Sequence, residues 1–258
     1  MDWQEISGSW VLIPPRPTAI VHFLGGAFVA AAPHVTYRWL LEQFGRQGYA
    51  VIATSFVNTL NHTAIARDVL NRFETTLDRL QAKSVISKRY VPIYGVGHSM
   101  GCKLHLLIGS LFSVERAGNI LISFNNYPAM RAIPFVEQIN LNPAFNVEFT
   151  PSPLETNALI AQHYKVRRNL LIKFTNDEID QTVSLTEVLK ERFPNMVAVQ
   201  TLQGNHLTPL GQDVNWRTGS VFTPFDAVGQ WMKQEVYRDL NQLKREIIRW
   251  IDPLSRPQ

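Results

Sequence analysis

Short, uninterrupted apolar runs alternate along this chain with stretches whose apolar positions recur every three or four residues. Ala19-Ile20-Val21-His22-Phe23-Leu24, stopped by Gly25-Gly26, reads as a buried strand ending in a flexible loop. Tyr49 to Thr54, Tyr90 to Val96, Gly118 to Phe124, Leu170 to Phe174 and Met196 to Leu202 continue the series of strands. Thr36 to Gln47 has helical spacing and is closed by Gly48; Thr63 to Gln81 carries Ile65, Val69, Leu70, Phe73, Leu77 and Leu80 on one face. Cys102 to Phe112 reads as a further helix. In the tail, Phe225 to Ile251 aligns Val228, Met232, Val236, Leu240, Leu243, Ile247 and Ile251, a face expected to pack on the sheet rather than on a second copy. Strands alternating with helices predict a mostly parallel sheet covered on both faces, with ligands bound beyond the carboxyl ends of the strands.

Residues 125–168 break this rhythm. They are rich in proline (Pro128, Pro134, Pro143, Pro151, Pro153) and hold one clear helix start, the capping box Ser152-Pro153-Leu154-Glu155. A long insertion between two core strands is expected to be a lid within a single domain. Tyr127, Phe135, Phe145 and Phe149 make it apolar and aromatic.

Composition narrows the function classes. The chain has 258 residues, 45% of them hydrophobic, as in an ordinary soluble domain. A formal net charge of +4 is too small to imply nucleic acid, and the basic residues are spread out apart from a mild concentration at Lys244, Arg245, Arg249 and Arg256. Cys102 is the one cysteine, which excludes an internal disulfide and fits a reducing compartment. Asp2 and Glu5 stand where a signal peptide would need basic residues, so a cytoplasmic protein is expected. Pro17 to Tyr37 is uncharged, but His22, Gly25-Gly26, Pro33 and His34 make it a strand plus a loop rather than a membrane span. His22, His34, His62 and His163 show no metal-ligand spacing, and Gly95-Val96-Gly97 does not open a dinucleotide fingerprint, because position 100 is Met. Neither a metal nor a cofactor is expected.

The candidate chemistry lies at the strand ends. Gly97-His98-Ser99-Met100-Gly101 stands between a strand and a helix, the context of a nucleophile elbow. A sharp turn there lifts the serine hydroxyl above the sheet, and the glycines let strand and helix approach. A serine hydroxyl needs a neighbouring base, normally a histidine held by a carboxylate. Asp177 follows the strand ending at Phe174, and His206 follows the last strand in Gln203-Gly204-Asn205-His206-Leu207-Thr208-Pro209. The order Ser, Asp, His is that of the α/β-hydrolases. Asp180 is the alternative acid, though its neighbours Gln181-Thr182 also suit it to a helix start. An oxyanion hole needs two N–H donors: the Met100 amide, and one from the loop after Leu24. His98 is expected to shape the pocket and His105 to be structural.

On these residues the chain resembles the α/β-hydrolase superfamily from Ala19 to Ile251. His22-Phe23-Leu24-Gly25-Gly26-Ala27-Phe28, Phe124-Asn125-Asn126-Tyr127-Pro128 and Asp180-Gln181-Thr182 look more closely like an uncharacterised hydrolase-like family of cyanobacteria and plastids. The resemblance implies an α/β-hydrolase fold, a Ser99-Asp177-His206 triad, and Leu24 as the second oxyanion donor. Two departures stand out: Phe23 replaces the glycine of the common His-Gly pair, and Phe174 replaces a glycine before the acid turn. The expected activity is that of a serine hydrolase of a carboxylic ester or thioester, with a lipid-like acyl group suggested by the lid. A protein using the same cleft only to bind a ligand or partner is the alternative; a homo-oligomer is compatible with either.

Overall fold

The computed structural model describes residues 1–27, 29–87, 90–129, 148–211 and 224–254, the side chains of 224–236 excepted. The strands are β1 (Gln4–Ile6), β2 (Ser9–Leu12), β3 (Ala19–Leu24), β4 (Tyr49–Thr54), β5 (Ile93–His98), β6 (Gly118–Ile122), β7 (Asn169–Asn176) and β8 (Val197–Asn205). They form one sheet in the order β1-β2-β4-β3-β5-β6-β7-β8. Pairing is antiparallel from β1 through β2 to β4 and parallel across the rest. The helices are α1 (Pro33–Thr36), α2 (Arg38–Arg46), α3 (His62–Ala82), α4 (Met100–Leu111), α5 (Pro153–His163), α6 (Thr182–Arg192) and α7 (Pro224–Ile251).

Successive strand side chains point to opposite faces, and here both faces are covered. Val21, Phe23, Ile120, Ile122, Leu170 and Ile172 enter one core with Leu40, Leu41 and Phe44 of α2 and Leu243 and Ile247 of α7. Their neighbours Leu24, Leu121 and Leu171 turn to the other face, against α3, α4, α5 and α6. This double burial explains why the strands read as continuous apolar runs. The tail helix packs on the sheet as expected through Leu240, Leu243, Ile247 and Ile251; the side chains of Val228, Met232 and Val236 lie outside the described residues. None of the described helices is long and apolar enough to cross a membrane.

Several boundaries differ from expectation, the elbow's among them. The elbow strand starts at Ile93 rather than Tyr90, since Pro92 has no N–H to give a neighbour, and it runs on to His98. Its helix starts at once, at Met100 rather than Cys102. The unanticipated β1–β2 hairpin turns on Ser7 and Gly8, with φ of 53° and 76°, the paired positive values of a tight two-residue hairpin turn.

The β5–α4 junction is packed to the limit. A Cβ on Gly101 would lie 2.0 Å from the Leu24 carbonyl oxygen, and one on Gly97 would lie 2.6 Å from the Cys102 amide nitrogen. Both obstacles are backbone, so neither can rotate aside. Gly101→Ala should therefore lower the unfolding free energy by about 3 kcal/mol or more, read from urea midpoints. A variant of wild-type stability would show that β3 and α4 can separate.

Four imidazoles are buried: His22, His62, His98 and His105. Burial lowers the last three to about 3 and carries His22 well below its ordinary value, so all four are neutral in the fold. The unfolded chain takes up these protons near pH 6.5, whereas the native chain does not until about pH 3. Stability is thus complete above pH 6.5 and falls as the pH drops toward 3, with a slope of about 1.4 kcal/mol per pH unit for each histidine. Urea midpoints at pH 7 and pH 5 should differ in that direction; equal midpoints would mean that these rings already carry protons in the fold.

Candidate active site

Ser99 caps α4 with φ 55° and ψ −118°, outside the regions an L-residue ordinarily occupies. The strain is held by the Ser99 amide, which donates to the Ile122 carbonyl at 2.9 Å, and by the Ser99 carbonyl, which accepts from Cys102 N–H at 3.0 Å. Cys102 is fully buried, its sulfur 3.2 Å from the carbonyls of Gly97 and Ile122, and burial pushes its thiol up; it is a packing residue.

His206 follows β8 in a turn fixed from both sides. Gly204 has φ 128°, and a Cβ there would meet the Thr208 hydroxyl at 2.4 Å, the hydroxyl that accepts from Asn205 N–H at 2.9 Å. Leu207 N–H donates to Asn205 Oδ1 at 2.9 Å. This turn brings His206 Nε2 to 3.0 Å from Ser99 Oγ and Nδ1 to 2.9 Å from Asp177 Oδ2. Asp177 lies just past β7 with its side chain shielded from solvent. Burial, the largest single influence, would raise its carboxyl, but the hydrogen bond and charge of His206, joined by hydrogen bonding from Ser123 and the Ile179 amide, together hold it below its ordinary value. Asp180 points elsewhere: its carboxylate accepts from the Thr182 amide at 2.9 Å and the Thr182 hydroxyl at 2.7 Å, at the start of α6. Burial, reinforced by the Asp177 charge, raises its carboxyl despite those bonds.

Asn125, three residues past β6, was not singled out as a site residue by the sequence, although it belongs to a motif that carried the resemblance. Its Nδ2 donates to Ser99 Oγ at 2.9 Å. With that lone pair occupied, the hydroxyl proton is free to donate to His206 Nε2, while Nδ1–H donates to Asp177. One assignment of protons satisfies all three bonds.

A second network fixes the surrounding loops. Gly26 N–H donates to the Tyr37 hydroxyl at 2.8 Å, and the Tyr37 hydroxyl lies 2.8 Å from His98 Nδ1. His98 Nε2 lies 2.8 Å from the His206 carbonyl oxygen, which can only accept. His98 Nε2 therefore carries the proton and Nδ1 accepts from Tyr37. Burial raises the Tyr37 phenol and lowers His98, the latter helped by His206 nearby, so both stay neutral. The residue before the serine thus ties the loop after β3 to the His206 turn.

These groups open on a cavity of about 280 Å³. Met100, the first expected oxyanion donor, lines it. Leu24 does not: it is fully buried within β3, in register with Gly97 of β5, and its side chain belongs to the core with α3 and α4. The loop residues on the cavity wall are Gly26 and Ala27. The ring of Phe23 is held in the opposite core, 4.7 Å from that of Tyr37, and β3 runs through Leu24 before the loop begins. Of the aromatics in 125–168, Tyr127 and Phe149 line the cavity; Phe135 and Phe145 lie outside the described residues. Among the described residues no group of His, Cys, Asp and Glu is placed to hold a metal ion.

Comparison with known proteins agrees with this architecture. A Staphylococcus aureus fluorophosphonate-binding serine hydrolase superposes with a TM-score of 0.55 at 13% identity, covering 90% of this chain and 91% of its own. The S-formylglutathione hydrolase of Staphylococcus aureus gives 0.53 at 13% identity, covering 90% and 89%. A structure from a report on two metagenome-derived lipolytic enzymes gives 0.53 at 15%, covering 91% and 100%. At such identities these likenesses show the fold, that of an α/β-hydrolase. No curated protein matches the sequence. The family described as protein of unknown function (DUF1350) matches residues 2–253, and the chain belongs to that family.

Proposed function

We propose that this chain is a serine hydrolase of carboxylic esters or thioesters. The observation that carries the reading is the unbroken line from Ser99 Oγ through His206 to the Asp177 carboxylate, with contacts of 3.0 and 2.9 Å, at the wall of a cavity. In the proposed reaction Ser99 Oγ attacks the acyl carbonyl as its proton passes to His206 Nε2, and Asp177 stabilises the imidazolium. The tetrahedral oxyanion is held by the Met100 amide, where the α4 dipole adds to the field, and by the backbone of the Gly26–Ala27 turn. Gly26 N–H is already given to Tyr37, so Ala27 is the donor assigned on that wall. Collapse releases the alcohol or thiol, protonated by His206, and leaves an acyl-enzyme. Water activated by the same imidazole then completes the hydrolysis.

Asn125 is a positioning residue in this scheme, because it orients the Ser99 hydroxyl toward the base. Residues 130–147 of the expected lid lie outside the described residues and α5 packs against α4, so from this insertion it is Tyr127 and Phe149 that face the substrate in this scheme. Val29, Ile179, Leu207 and Leu210 make one stretch of the wall apolar, which suits an acyl chain.

A fluorophosphonate should label the wild-type protein at Ser99 and leave Ser99→Ala unlabelled. On a panel of p-nitrophenyl esters and acyl-CoA thioesters, Ser99→Ala, His206→Ala and Asp177→Ala should each lower kcat by about 10⁴-fold. Asp180→Ala should stay within about 10-fold of wild type, because its carboxylate serves only the start of α6. An unlabelled wild type would defeat the reading. Loss of turnover in Asp180→Ala with Asp177→Ala active would reassign the acid.

A further inference from the structure

The cavity beside Ser99 also contains a buried cation. Lys103 lies four residues after Ser99 in α4, is 2% exposed, and lines the same cavity. Its ammonium meets the Pro151 carbonyl at 3.2 Å and stands 5.5 Å from the centre of the Phe149 ring. It forms no ion pair among the described residues, and one carbonyl engages one of its three N–H donors. Burial lowers this ammonium to about 8, against an opposing pull from Glu148, so it is charged at neutral pH.

Next to it, His62 stacks on Phe149 with ring centroids 4.2 Å apart and is 3% exposed. Both of its ring nitrogens, and Asn58 Oδ1, are buried without a protein partner among the described residues, and both residues line the cavity. The imidazole is neutral, lowered to about 3 by burial and then by the Lys103 charge, and so offers one donor and one acceptor. A purely apolar acyl chain would leave the His62 nitrogens, and the Lys103 N–H groups not given to Pro151, desolvated and unpaired, an arrangement that folded proteins avoid.

We infer that Lys103 and His62 form a subsite for a carboxylate at the end of the substrate remote from the reacting carbonyl. One ammonium and one neutral imidazole complement a monoanion; a phosphate dianion would call for further cations. The substrate class, which rests on the serine-hydrolase reading, is then a half-ester or half-thioester of a dicarboxylic acid. Met100 and Phe149 pack the chain between its two ends.

The test is calorimetric titration of the full-length Ser99→Ala protein, which cannot turn over, with monomethyl adipate and dimethyl adipate. The half-ester should bind at least about 10-fold more tightly, as expected for a hydrogen-bonded charge. Adding Lys103→Met should abolish that preference while leaving dimethyl adipate within about twofold, and adding Lys103→Arg should retain part of it. His62→Phe, which keeps the stack on Phe149, should weaken only the half-ester, and it decides the matter if Lys103→Met does not fold. Equal affinities in the Ser99→Ala protein, no binding of either ligand, or a parallel loss of both on changing Lys103 would overturn the subsite, the last by showing that Lys103 only braces Pro151. Binding without turnover separates the two proposals: absent labelling at Ser99 defeats the hydrolase reading alone, and labelling without a carboxylate preference defeats the subsite alone.

Discussion

The contact on which the site depends is the approach of Gly101 to the Leu24 carbonyl. With no Cβ at 101, the first turn of α4 lies against the end of β3, and everything near Ser99 follows from that closeness. It sets the amide end of α4 beside the turn that leaves β3. An ideal Cβ on Gly26 would lie 3.4 Å from Ser99 Cβ, so little room for a side chain is left between loop and serine. Any side chain at 101 would push the two amide-bearing walls apart. The left-handed Ser99 is the complementary half of the constraint: strand and helix can be this close only if the residue joining them turns within one peptide.

Electrostatics keeps the resulting site neutral where it must be and charged where it can be matched. His98 and Tyr37 stitch the β3 loop to the His206 turn using neutral groups alone, so no buried charge competes with Asp177 for the His206 ring. Asp177 is shielded from solvent but faces His206, whose second nitrogen faces Ser99. Each polar atom in the series therefore has its partner defined by geometry. The contrast with Lys103, charged and buried at the same cavity, is what sets that residue apart from the structural polar groups of the core.

Much of this was legible in the sequence, for physical reasons that also mark where legibility ended. Strands covered on both faces, such as Ala19–Leu24 and Tyr49–Thr54, announce themselves as apolar runs with glycine or polar stops. The elbow is legible because only glycine satisfies a contact as short as that at 101. The β1–β2 hairpin was missed although Ser7-Gly8 is a turn signal, because Gln4-Glu5-Ile6 is too short and too exposed to show a period. Leu24 was carried over from the spacing of a motif, and spacing along the chain does not say which residues after the strand reach the cavity; Gly26 and Ala27 do. Asn125 and the Tyr37–His98 link join residues 26 and 61 positions apart, and such partners have no local signature.

Lys103 did carry a signal, visible once burial is known. From Met100 to Ser110 every residue of α4 is buried, and Lys103 is the one ionised side chain among them. A helix enclosed all round gains nothing in solubility from a lysine, and an ammonium there opposes folding unless it is solvated or matched. α4 thus presents two fields to the same cavity: its amino terminus at the serine end, and a full positive charge about one turn further on. Because both sit on a rigid, fully packed element, the distance between the proposed oxyanion position and the ammonium is set by helix geometry rather than by loop conformation. A substrate whose negative charges match that spacing is selected by the same element proposed to hold its transition state.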